Sequence, residues 1–222
     1  MLHLGSIRGT SIDVDLSFFI LCLFFVATNY NAQRGVQYAL LWIPVLFLSV
    51  LVHELAHAGT IGIFGYGSSH VVLGGMGGVT INERRSRPIH DMLISLAGPF
   101  SSFALAFVLS MLQPRIAFLH TDPMMVALVP MLIWANVAWG ILNLVPVAPL
   151  DGGKAVRSFF STFLKDGQSF LISVWIGMVV GTAVAVYGLM NRQFFLAVII
   201  GFLVYRNFVA WQYFREHGVP GD

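Results

Sequence analysis

Charged residues are scarce in this chain. Asp, Glu, Lys and Arg make up 10% of its 222 residues, against about 25% in soluble domains. That shortage excludes an ordinary soluble fold. With 57% hydrophobic residues and a mean hydropathy of +0.81, it puts the chain in a membrane. Cysteine is nearly absent. Cys22 stands alone, which excludes an intrachain disulfide and any site built from several thiolates. The formal net charge is only +2 and no basic run resembles a nucleic-acid patch, so nucleic acid is not an expected partner. Low-complexity tracts and internal repeats are also missing.

What remains is apolar and periodic. A spanning helix needs about 20 mostly apolar residues. Six segments qualify, near 14–29, 37–64, 91–113, 124–149, 169–190 and 193–214, separated by short polar breaks. The expected fold is therefore an all-α polytopic membrane protein with six transmembrane helices, and residues 1–222 form a single domain. The first segment also resembles a signal-peptide core. Asp13 and Asp15 balance Arg8 before it, however, and no clear small-x-small cleavage site follows, so it reads as an uncleaved helix.

Basic residues set the expected orientation. With six spans both termini share one side, and nine of the 12 Lys and Arg fall there: Arg8, Arg84, Arg85, Arg87, Lys154, Arg157, Lys165, Arg206 and Arg215. Arg34, Arg115 and Arg192 fall on the other. The termini are thus expected in the cytoplasm. Helices two and four then both run inward, and their C-terminal ends lie toward the cytoplasmic side.

Near the end of the second segment stands His53-Glu54-Leu55-Ala56-His57. Residues four apart share a helix face, so two imidazoles can address one ion while Glu54 serves as general base on a water. A catalytic zinc takes three protein ligands and leaves one position open. Among the ten acids, Glu54 and Asp151 adjoin long apolar stretches on the expected active side, and Asp91 is the competitor. Asp151 follows Asn143-Leu-Val-Pro146-Val-Ala-Pro149-Leu150 and precedes Gly152-Gly153. The two prolines break the end of the fourth helix. Taken alone, Asp151 reads as the N-cap of a helix starting at Gly152; beside the histidine pair it reads as a third ligand.

These two motifs, in this order and separation, resemble the site-2 protease family of intramembrane zinc metalloproteases, over the span from about residue 46 to 153. The resemblance implies that His53, His57 and Asp151 hold one zinc per chain, with Glu54 as the catalytic acid/base. It also implies that Asn143 positions substrate or oxyanion; Asn136 is a weaker candidate one heptad earlier. A third match lies at 71–81, where Gly74, Gly75, Gly77 and Gly78 separate two short β runs. In the family a similar segment forms a membrane-associated hairpin between helices two and three. An open strand edge there could hold substrate extended by β-augmentation, which makes Gly75, Gly77 and Gly78 candidate substrate-binding residues. No PDZ-like insertion or CBS-like domain is expected, as in short prokaryotic members.

The expected function is cleavage of membrane-spanning or membrane-associated proteins by a zinc metalloendopeptidase of the cell membrane, with lipid as the surrounding partner. The alternatives are an intramembrane metal-ion transporter and a catalytically dead scaffold. A transporter needs ligands along a path reaching both faces, and the outer half offers none.

Overall fold

The computed structural model describes residues 1–218 apart from Arg8, Glu83 and Arg85. Arg8 and Arg85, used above for orientation, therefore lie outside the described residues. The chain forms two compact units: Met1–Arg85 with Ala97–Gly140, and Ser86–Leu96 with Ile141–Asp222.

The first unit opens with strands β1 (Leu2–Ile7) and β2 (Thr10–Val14). In β2 the buried Ile12 and Val14 alternate with the half-buried Asp13, the period of a strand with one face packed. Asp15 then caps α1 (Leu16–Thr28), its carboxylate accepting the Ser17 N–H at 2.9 Å. Next come α2 (Val36–Leu40), α3 (Trp42–Ile63), β3 (Ser69–Gly74) and β4 (Gly77–Asn82). The four strands form one sheet in the order β1-β2-β3-β4, with β2 parallel to β3 and the other neighbours antiparallel. The unit also contains most of α4 (Pro88–Leu112) and α6 (Pro123–Leu144), and the short α5 (Ala117–Thr121) between them. Its core joins Phe18 and Cys22 of α1, Val45 and Val50 of α3, Val71 and Leu73 of β3, and Leu132 of α6.

The second unit is built on α7 (Asp151–Ser161), α8 (Asp166–Met190) and α9 (Phe194–His217). Helices α8 and α9 form a hairpin closed by a three-residue turn. Gly188 lets them approach, because a Cβ there would sit 3.2 Å from the Ala197 nitrogen. Val147, Ile200 and Leu203 form its buried core.

Among the described residues, five helical stretches are long and apolar enough to cross a membrane: Val36–Ile63, Pro88–Leu112, Pro123–Leu144, Asp166–Met190 and Phe194–His217. Three expectations need correction. The fold is not all-α, because the 71–81 hairpin belongs to a four-stranded sheet that includes the N-terminus. The alternation of Ile12 and Val14 with Asp13 and Asp15 carried that signal. The first apolar segment, expected over 14–29, is a helix of only 13 residues, because Val14 ends β2, Asp15 is the N-cap and Asn29 the C-cap. The fourth segment ends at Leu144 rather than 149, as Pro146 and Pro149 require.

Candidate active site

On α3 the residues Val45, Ser49, His53, His57 and Ile61 recur every four positions, and all are buried. This stripe is the helix face turned to the core, and it places the two imidazoles 4.9 Å apart, centroid to centroid. His53 Nδ1 lies 3.1 Å from the hydroxyl oxygen of Ser102 on α4. An imidazole that ligates through Nε2 keeps its proton on Nδ1, and there it can donate to Ser102. The Nε2 atoms share one neighbour. A Cβ on Gly98 would lie 2.6 Å from His53 Nε2 and would overlap His57 Nε2. Both nitrogens therefore converge on bare backbone of α4, at a place where any larger residue would intrude.

Glu54 is buried, 4% exposed, and its partners come from β4. The Thr80 hydroxyl lies 2.7 Å from Glu54 Oε2 and 3.1 Å from the Glu54 carbonyl oxygen. Strand alternation turns Gly78, Thr80 and Asn82 to one side and leaves Val79 and Ile81 exposed on the other. Gly78 lies directly on the glutamate, for a Cβ there would be 2.5 Å from Oε1. Gly77 has φ of +112° and faces Trp139, whose Cη2 would be 2.8 Å from an added Cβ. The Gly75 N–H is engaged, donating to the Ser17 hydroxyl at 2.9 Å. One turn before His53, Ser49 accepts a 2.9 Å hydrogen bond from the Asn136 amide nitrogen. Asn136 is fully buried, and its Oδ1 has no partner among the described residues.

In the second unit, Asp151 is 4% exposed and is the first residue of α7. The N-cap is Leu150, without a side-chain bond, so Asp151 is not the cap that its position in the sequence suggested. Lys154 lies 3.2 Å from Asp151 Oδ1. Gly152 and Gly153 explain the local fold. A Cβ on Gly152 would be 2.7 Å from the Val145 carbonyl oxygen, and one on Gly153 would be 2.5 Å from the Ala148 nitrogen. Only glycine lets α7 start against the preceding loop. Asn207 of α9 holds that loop by donating to the Ala148 carbonyl at 2.8 Å. Asn143 is buried in the same unit.

Among the described residues, Glu54 and Asp151 are the two buried acids; Asp91 is only half-buried. His53, His57 and Asp151 are a set that could hold a metal ion, each offering one ligand atom. Two imidazoles and one carboxylate suit zinc and leave a coordination position open. Four residues with a part in the site escaped the sequence reading: Thr80, Gly98, Ser102 and Asn207. A Gly-Pro and a Ser-Ser pair inside the apolar run at 98–102 were the available signal for two of them.

Comparisons with known proteins point to one family. The Peptidase M50B-like family matches residues 18–150, more than half of the chain, and Peptidase family M50 matches residues 120–188. The zinc metalloprotease MJ0392 of Methanocaldococcus jannaschii is 26% identical over 204 residues, covering 92% of this chain and 58% of that protein. Rip3 of Mycobacterium tuberculosis is 29% identical over 222 residues, covering 94% of this chain and 55% of that protein. The chain thus spans little more than half the length of these curated relatives. The solved structure of a site-2 protease from Methanocaldococcus jannaschii matches with a TM-score of 0.65 at 21% identity, covering 100% of this chain and 96% of that one.

Proposed function

Because the chain belongs to peptidase family M50, the site-2 proteases, we propose that it is an intramembrane zinc metalloendopeptidase holding one zinc through His53, His57 and Asp151. The observation that carries the reading is the convergence of both Nε2 atoms on Gly98 beside a buried Glu54. Zinc in such a site lowers the pKa of its water to about 7 and polarises a carbonyl. The chain's own groups do the rest. Glu54 takes a proton from the attacking water and returns it to the leaving amine. Thr80 fixes the carboxylate for that transfer. Ser102 fixes the His53 ring, and the turn made by Gly152 and Gly153 presents Asp151.

The substrate in this reading is a membrane-spanning or membrane-associated protein held extended against β4, at the sheet edge, with Gly75, Gly77 and Gly78 shaping the turn; the family resemblance adds Asn143 as a substrate-positioning residue. Exposed Leu2, Leu4, Ile7, Met76, Val79 and Ile81 support a sheet bathed in lipid rather than water. The pairing of β2 with β3 supports six spans by parity. Strands that pair lie on one side of the membrane, so the chain between them crosses an even number of times. If 36–63 crosses once, α1 must cross as well. Both termini then face the cytoplasm with the active site toward that side. The transporter alternative is not favoured, given the family.

The test is Glu54→Gln, which keeps shape but cannot take the proton. We expect cleavage of a transmembrane substrate to vanish while zinc stays bound. Cleavage at the wild-type rate would remove Glu54 as the base.

A further inference from the structure

We propose that a cavity on the second unit, at the carboxyl end of α9, is a binding site for the phosphate headgroup of an anionic phospholipid. The cavity measures about 690 Å³, within the roughly 300–1,000 Å³ of small-molecule sites. Its lining includes Arg157 of α7, Phe170 of α8, and Tyr205, Arg206, Val209 and Tyr213 of α9. It is therefore apolar on its walls and carries two guanidinium groups.

Arg206 is the unusual residue. It lies inside a 24-residue apolar helix fit to cross a membrane, where an ionised side chain needs a partner or a path to the interface. Among the described residues neither Arg206 nor Arg157 forms a salt bridge with a carboxylate. Arg157 instead rests over the Phe170 ring, 5.3 Å from its centroid, which leaves the edge of its guanidinium available as a donor. Two unneutralised guanidiniums on one cavity call for an anion, and the planar fork suits phosphate oxygens.

The surroundings select a lipid as the source of that anion. Trp211, Tyr213 and His217 follow along α9, with Arg215 placed over Trp211 at 5.4 Å and Trp175 packed against it at 5.6 Å. Trp and Tyr with Arg at one end of a spanning helix mark the headgroup level. Phe170 packs on Phe214 at that level, 5.1 Å between centroids, while Tyr205 and Val209 of the lining continue from it toward the apolar middle of α9, where acyl chains lie. A soluble anion would use the arginines alone; a phospholipid uses both ends of the cavity.

The experiment measures lipid selectivity of the full, zinc-loaded chain in vesicles by electron paramagnetic resonance, comparing spin-labelled phosphatidylglycerol with spin-labelled phosphatidylcholine. We expect the wild type to retain an immobilised phosphatidylglycerol fraction with about tenfold preference over phosphatidylcholine, an ordinary magnitude for one charge-assisted site. Arg157→Gln with Arg206→Gln should bring the ratio to parity, and the corresponding Arg→Lys pair should keep part of it. Arg215→Gln, which lies outside the cavity lining, should change nothing. Zinc content and the circular dichroism spectrum of each variant establish that it is folded. Should the double Gln variant fail to fold, either single Gln variant must still lower the ratio. An undiminished preference in folded Gln variants overturns the proposal. So does loss of the preference on adding millimolar inorganic phosphate at constant ionic strength, which would make the ligand a free anion. Disulfide cross-linking of Val209→Cys between two copies in zwitterionic vesicles would give the cavity to a second chain instead.

Discussion

Gly98→Ala adds a single methyl group at the point where the two candidate zinc ligands, His53 and His57, meet. That carbon would stand 2.6 Å from His53 Nε2, whereas ordinary contact begins at 3.4 Å, so His53 must retreat by 3.4 − 2.6 = 0.8 Å. His57, overlapped by the same carbon, must retreat further. Neither ring moves freely. Both stand on a buried stripe of α3, and His53 is tied to Ser102. Zinc–nitrogen bonds are about 2.0–2.1 Å long and tolerate deviations of about 0.2 Å, so a shift near an ångström exceeds what coordination allows. We expect zinc affinity to fall about 100-fold, roughly 2.8 kcal/mol, with the helix intact because alanine is the better helix former. A chelator titration of the purified protein, read by elemental analysis, measures this. Gly201→Ala is the control, since nothing lies within 4 Å of a Cβ there. Wild-type zinc retention in folded Gly98→Ala would refute the convergence of the histidines.

His53→Ala, His57→Ala and Asp151→Ala should each lose zinc by elemental analysis, and full occupancy in Asp151→Ala would turn attention to Asp91. Thr80→Val removes the hydroxyl at Glu54 and should lower kcat roughly 10- to 100-fold at unchanged zinc content, the range for partners that orient site residues; an unchanged kcat would deny Thr80 that role. Proline at Val79 or Thr80 removes a strand donor, so, with Thr80→Pro measured against Thr80→Val to remove the effect of the lost hydroxyl, one should depress cleavage far more than the other in zinc-loaded protein, while equally harmless prolines would dismiss the substrate-pairing edge. Hydrogen bonds from His3 and then His70 hold the Asp13 carboxyl below its ordinary value of 3.8. A depressed folded value means that this stabilisation is present above pH 3.8 and lost as pH falls through the folded value. Asp13→Asn should therefore flatten the acid limb of thermal stability below about pH 4, and an unchanged limb would show that the His3–Asp13–His70 cluster adds nothing.

How far the chain could be read depended on distance along it. His53, Glu54 and His57 are legible because a helix turns sequence spacing directly into geometry. Asp151-Gly152-Gly153 is legible because two prolines and two glycines announce an unwound helix end and a close turn. Ser102, Thr80 and Gly98 are tertiary partners, 49, 26 and more than 40 positions from the residues they serve, and no local pattern links them. The parallel pairing of β2 with β3 bridges 59 positions, from Thr10 to Ser69. Apolar content alone favoured lengthening the first helix over ending a strand at Val14.

The shortness of α1 has a consequence for the surrounding bilayer. Thirteen residues rise about 20 Å, and a hydrocarbon core is about 30 Å thick. If α1 crosses the bilayer, as the six-span reading proposes, lipid meeting this side of the first unit must thin by several ångströms or follow the sheet downward, at a cost of fractions of a kcal/mol per ångström of mismatch. Headgroups and their water are thereby drawn toward the level of β4 and Glu54. A substrate helix arriving on this side would lose part of its apolar surroundings before meeting any catalytic group, and its end would begin to fray in the deformed lipid itself.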